Sequence, residues 1–194
     1  MSNELFVTTT GTVTFPSVFR PSEFQGKENY TMNLLFDEDQ MDTEPMTRLK
    51  DAVKAVAIEK WGKDNVAKKM KAGLFTSPFK EGDAKADASE EGKLEIYRGK
   101  TIVSAKSKFQ PSLIDAKRQP ILDEEQFYGG CEARMAVTLY PWEYMNKIGV
   151  SLNLNHIQKT ADGERLGGGR AKAEDIFSEV ETTDDNSMDK DFEI

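Results

Sequence analysis

Five stretches of this chain alternate apolar and polar residues with period two, and that pattern limits the fold more than any other feature. Alternation of this kind builds half-buried strands. In 5–15, LFVTTTGTVTF, Leu5, Val7, Val13 and Phe15 share one face, and Phe6, Thr8, Thr10, Thr12 and Thr14 the other. Gly11 marks a bulge or tight bend there. Pro16 and Pro21 bracket a turn. In 29–36, Tyr30, Met32, Leu34 and Phe36 lie on one side. In 101–109, Val103, Ala105 and Phe109 stand opposite Ser104, Lys106 and Lys108. In 131–140, Ala133, Met135, Val137 and Leu139 point inward, against Glu132, Arg134, Thr138 and Tyr140. In 147–157, Ile148, Val150, Leu152 and Leu154 point inward, and His156 shares their parity.

Helical spacing appears once, between the second and third strands. Asp42 or Thr43 can cap it and Pro45 suits its first turn. Met46, Leu49, Val53, Val56, Ala57 and Trp61 follow on one side. Gly62 breaks the helix, and Asp64 caps a shorter one over 65–72. Residues 73–93 lack periodicity and read as a mobile surface loop. Five strands with one helical insertion predict a mainly β protein, an OB-fold-like five-stranded barrel. An open α+β sandwich is the second option.

The charge is unevenly placed. The chain has 194 residues, 34 acids and 26 bases, for a net charge of −8. Nine of the acids and one base fall in 174–194, so the first 173 residues hold 25 of each. An acidic total normally argues against nucleic acid; here it belongs to a detachable segment. That segment is poor in apolar residues and is expected to be disordered. The expected organisation is a domain over 1–173, with 163–170 as a hinge, and an acidic tail over 174–194.

Other classes recede on composition. No apolar run reaches the roughly 18 residues of a membrane helix. The N-terminus shows no secretory signal pattern. One cysteine, Cys131, and one histidine, His156, exclude a disulfide framework and a multi-Cys/His zinc site. A reducing, cytoplasmic setting is expected. Phosphate-loop, nucleophile-elbow and zinc-protease motifs are absent, and the Gly run at 167–169 lacks the Lys-Ser/Thr a phosphate loop needs. Asp123, Glu124 and Glu125 read as a solvated turn, with a metal-dependent nuclease as the minor alternative. No cofactor and no metal are expected.

Aromatics interleaved with bases carry more information. Tyr97, Arg98 and Lys100 lead into the strand with Lys106, Lys108 and Phe109. Lys117 and Arg118 follow, and Arg134, Tyr140, Trp142 and Tyr144 share one parity. Rings beside cations suit single-stranded nucleic acid: bases stack without sequence readout, and Lys and Arg supply the salt-sensitive phosphate attraction. The alternative is that Trp142 and Tyr144 fold over a second small core.

Several runs together resemble a known family. They are FQPSLIDAKRQPILD at 109–123, FYGGC at 127–131, LNLNHIQK at 152–159, DGERLGGGR at 162–170 and AEDIF at 173–177. FPSVFRP at 15–21 and the 30–36 strand add to them. Their order is similar to that of the bacteriophage single-stranded DNA-binding proteins of the Enc34 type. The resemblance implies an OB fold, single-stranded DNA as ligand, and a role in phage DNA replication or recombination. It also fits an acidic tail with an aromatic close to its end, here Phe192. In that tail, Asp184, Asp185, Asp189, Asp191 and Phe192 would recruit phage or host replication proteins and compete with DNA for the groove. The rival expectation is a structural or interaction β-barrel without nucleic acid, and self-association stays open.

Overall fold

The five alternating stretches close on one another. A computed structural model describes residues 4–24, 26–88 and 95–166. Among these, β1 (Phe6–Val7), β2 (Gly11–Phe24), β3 (Lys27–Phe36), β4 (Phe75–Thr76), β5 (Phe79–Glu81), β6 (Thr101–Ser107), β7 (Ser112–Ile114), β8 (Glu132–Tyr144) and β9 (Lys147–Ala161) join one sheet. The five long strands form a ring. β2 pairs β3, β3 pairs β6, β6 pairs β9, β9 pairs β8, and β8 returns to β2. Numbered within the ring, the order is 1-2-3-5-4-1, an OB-like barrel. The four short strands are additions to it.

Among the described residues, four α-helices lie between β3 and β6: α1 (Glu38–Met41), α2 (Glu44–Trp61), α3 (Lys63–Lys71) and α4 (Asp83–Asp87). Thr43 stands at the N-cap of α2 with Pro45 in its first turn. The helix buries Met46, Leu49, Val53 and Ala57, which join the barrel core with Met135, Val137, Ile148, Val150, Leu152 and Leu154. The break falls at Gly62 (φ +80°), which also serves as the N-cap of α3, so Asp64 lies inside the helix instead of capping it.

Several expectations are corrected. Residues 5–15 are not one strand but β1 and the start of β2. Phe6 pairs with the buried Val137, so Phe6 and Thr8 point inward, while Leu5 and Val7 are about half exposed. Phe15 (φ +43°) also faces out. The expected turn over 16–21 lies inside β2, absorbed by register shifts against β3. Gly11 is needed for close approach: a Cβ there would meet the Phe36 ring at 2.6 Å and the Leu35 carbonyl at 2.7 Å.

The expected loop at 73–93 carries β4, β5 and α4 over 75–87. Residues 89–93, the glycine-rich end of the hinge and the tail lie outside the described residues. α4 and the 3-10 turn at Glu95–Tyr97 cover the outer side of β3 and β6, where Leu35, Ala86, Tyr97 and Ile102 form a second small core. Tyr97 is fully buried in it. Tyr97→Ala should therefore cost about 3–5 kcal/mol of stability, as for other large buried aromatics. Equilibrium denaturation measures this, and a loss below about 1 kcal/mol would contradict the placement.

Candidate nucleic-acid interface

Beside the second core, outward residues of β3, β6, β9 and β8 make a polar band. Across it run Thr31 on β3, Lys106 on β6, Asn153 on β9 and Thr138 on β8, each paired with the next. Asn33 and Ser104 form an adjacent pair. The strands lie about 4.8 Å apart, so the four-residue row spans about 14 Å. Alternation dictates this face: each of these residues neighbours a core residue of opposite parity along its strand.

At one end of the band the β8–β9 hairpin rises past the barrel. β8 continues through Pro141 to Tyr144, further than the pattern alone indicates. Tyr140, Trp142 and Tyr144 therefore stand in one row, about 6.7 Å apart, which is twice the strand rise. Tyr140 and Tyr144 are 54% and 66% exposed. Trp142 is half-buried and pinned. Its Nε1 donates to Ser151 Oγ at 2.9 Å, and its ring lies so close to Gly149 that a Cβ there would sit 2.7 Å from Cζ2. The middle ring is an anchored wall and the outer two are open faces.

The helical insertion braces this hairpin from behind. Trp61 Nε1 donates to Glu143 Oε2 at 3.1 Å. Lys69 Nζ donates to the Asn146 carbonyl at 2.7 Å and to its Oδ1 at 2.5 Å. β4 pairs in parallel with the base of β9, at Ile148 and Gly149. Between this hairpin, β4, β5 and the band lies a groove of about 840 Å³. Among the described residues its lining includes Tyr140, Trp142 and Tyr144, two cations, Lys80 and Lys106, and no carboxylate. The rest of the lining mixes neutral hydroxyls and an amide, Thr31, Asn33, Ser77, Ser104 and Ser151 among them, with apolar residues such as Pro78 and Val150. Rings, cations and uncharged hydrogen-bonding groups in an acid-free cleft can hold stacked bases and a phosphate chain.

Of the twelve expected contact residues, the groove brings together Lys106, Tyr140, Trp142 and Tyr144. Lys108 and Phe109 are exposed just beyond the end of β6, and Phe109 is 82% exposed rather than on the Val103 face. Arg134, Lys117 and Arg118 lie elsewhere on the surface, near the far end of β8 and on the turn after β7. Tyr97 is buried and offers no ring face. Arg98 is held by Glu95 and by Asp87 at 3.0 Å; its hydrogen bonds to Glu95, then to Asp87, raise its pKa above the usual guanidinium value. Lys100 pairs with Asp37 at 2.6 Å. These three brace the second core. The tail residues Asp184, Asp185, Asp189, Asp191 and Phe192 lie outside the described residues.

Lys80, Thr31, Asn33 and Ser151 escape the sequence reading. Lys80 reaches the groove only because β5 pairs with β6, a contact 22 residues apart between Lys80 and Ile102 that local pattern does not announce. His156 is also displaced. An extra residue on β9 between Leu154 and His156, opposite the Ala136–Val137 step, turns it outward, where its Nδ1 meets Ser112 Oγ at 2.5 Å. The acids at 123–125 are occupied locally: Asp123 Oδ1 accepts from the Glu125 amide, and Glu124 pairs with Arg20. Among the described residues no group of three metal-ligating side chains forms. Burial pushes the Cys131 thiol up, away from the thiolate. No helix among them is long and apolar enough to cross a membrane.

Comparisons with known proteins bear on the family and the fold. The sequence profile of the family described as "Enterobacter phage Enc34, ssDNA-binding protein" matches residues 6–188. Protein p50 of Acyrthosiphon pisum secondary endosymbiont phage 1 is 28% identical over 181 residues, covering 90% of this chain and 92% of that one. Among solved structures, the C-terminally truncated single-stranded DNA-binding protein of bacteriophage Enc34 superposes with a TM-score of 0.63 at 18% identity. That likeness covers 83% of this chain and 87% of the other. The same phage protein in complex with ssDNA gives 0.59 at 17% identity, over 84% and 89%.

The seat of Trp142 is testable. Gly149→Ala should force the indole out, shift tryptophan emission to the red and cost about 1–3 kcal/mol of stability. An unchanged emission spectrum would contradict the close packing.

Proposed function

The chain belongs to the Enc34-type family of phage single-stranded DNA-binding proteins, and on that premise we propose that it binds single-stranded DNA in the groove between the β8–β9 hairpin and the polar band. It acts as a binding protein, coating exposed strand during phage DNA replication or recombination. The observation that carries this reading is the lining of the groove: an aromatic row, two lysines and no acid, in a protein with 34 acids against 26 bases.

Each part has a role set by its chemistry. Tyr140 and Tyr144 stack bases on their open faces. Trp142 forms the wall between them. Lys80 and Lys106 attract phosphates, with Lys108 and Phe109 beside the exit. Thr31, Asn33 and Ser104 offer hydrogen bonds to whichever base edges pass. Such contacts tolerate any sequence, which is what a coating protein requires.

The chain divides functionally at residue 173. The domain before it holds the strand, and the segment 174–194 is an acidic appendage with two tasks. Free, it recruits replication proteins through Asp184, Asp185, Asp189, Asp191 and Phe192. Folded back, it competes with DNA for cationic surface, an attraction that salt screens.

Fluorescence anisotropy of a labelled oligo-dT tests both halves. Tyr140→Ala and Tyr144→Ala should each weaken binding about 5- to 150-fold, the equivalent of about 1–3 kcal/mol of stacking. Lys80→Gln with Lys106→Gln should flatten the log–log salt dependence by about 1.4, at about 0.7 per lost phosphate contact. No binding by the intact or the tail-less chain would overturn the function. Truncation after residue 173 should tighten binding at low salt, and the gain should shrink as salt rises. Equal affinity of both forms at low salt would remove the competing role of the tail.

A further inference from the structure

Three expected cations that miss the groove are assembled elsewhere. Arg134 Nε donates to Gln158 Oε1 at 2.9 Å. Gln158 Nε2 donates to the Asp115 carbonyl at 3.1 Å. Asp115 in turn closes the turn that carries Lys117 and Arg118. Its Oδ1 accepts from the amides of Lys117 and Gln119, both at 2.8 Å, and its carbonyl accepts from the Arg118 amide at 3.0 Å. Arg118 is held at φ +65° by this turn. Through Gln158, a strand cation and a turn carrying two more become one rigid unit. All three are exposed; Asp115 Oδ1 is engaged with the turn, and Glu125 and Asp162 line the cleft on the Lys117 side.

This unit borders a shallow pocket of about 360 Å³, with Arg134, His156 and Gln158 around an apolar floor that includes Ala136 and Ile157. The surface between it and the groove is continuous. On β8, the outward residues from Trp142 back to Arg134 are Tyr140, Thr138 and Ala136; on β9, Ser151, Asn153, Asn155 and His156 lead to Gln158. None is acidic. Arg134 stands six residues from Tyr140, about 20 Å along an extended strand. The segment joining β6 to β7 passes the same way and presents Lys108 and the exposed Phe109.

We propose that Arg134, Lys117 and Arg118, tied together through Gln158, form a second single-stranded DNA contact, reached only by strands that extend beyond the groove. This rests on the groove reading above and adds the direction of the strand: along the outer face of β8 and β9, away from the hairpin tip. Cations there take phosphates, and the pocket beside His156 takes a base. A strand confined to the groove never meets this patch.

The test compares two labelled oligo-dT lengths: about six nucleotides, near the low end for one OB fold, and about twenty, beyond its usual upper limit. The intact protein should bind the longer strand more tightly. Arg134→Gln, and separately Lys117→Gln with Arg118→Asn (asparagine tolerates the positive φ), should leave the short strand unaffected. For the long strand, each should reduce the gain and flatten the salt dependence by about 0.7 per cation removed. Circular dichroism of each variant checks the fold. Long-strand binding and salt slope equal to the parent in both variants would overturn the second contact while leaving the groove intact. Loss of short-strand binding in the folded variants would overturn its separateness. Failure of the parent to bind either length would sink the groove reading itself.

Discussion

The pairing of β8 with β9 is the interaction on which the rest of the structure depends. It closes the barrel, because β8 returns to β2 while β9 reaches β6. It also outruns the barrel at one end, and that overhang carries the aromatic row. A free two-stranded ribbon is marginal in water. Here the helical insertion supplies the missing support: α2 through Trp61, α3 through Lys69, and β4 along the base of the hairpin. The helices thus position the site without lining the groove.

The same pairing separates apolar from polar chemistry. Its inner residues, Met135, Val137, Ile148, Val150, Leu152 and Leu154, are buried in the core. Its outer residues between Arg134 and Trp142, and between Ser151 and Gln158, include no acid. Balanced overall charge in the first 173 residues conceals this local asymmetry. Acids of the body are placed where they brace structure: Glu143 against Trp61, Asp37 against Lys100, Glu95 and Asp87 around Arg98. Carboxylates used this way stay off the face that would have to meet phosphate.

Strand existence and the long helix were legible in the sequence because burial on one side imposes a period. Four of the five barrel strands appear where alternation places them, the first is split into β1 and a longer β2, and α2 buries Met46, Leu49, Val53 and Ala57 as its spacing predicts. What failed depends on contacts between distant residues. The paired apolar residues at 34–35 and 102–103 signal burial on both faces, which is why Tyr97 lies in a core and not at a binding surface. Bulges erase parity, so His156 turns outward although its position counts as inward. Lys80 joins the groove through a β5–β6 pairing that no local pattern encodes. The aromatic row was visible because three rings share a strand parity. The division of cations between the groove and the Gln158-linked patch was not, because it needs the register of β9 against β7 and β8.

The most direct measurement is photo-crosslinking of the full chain to a 5-iododeoxyuridine-substituted oligo-dT, followed by peptide mapping. Crosslinks at Tyr140, Trp142 or Tyr144 are the expected result, since these rings would lie against the bases. Efficient crosslinking confined to other segments, with the peptide spanning 140–144 unmodified, would contradict the claim that the hairpin groove holds the strand.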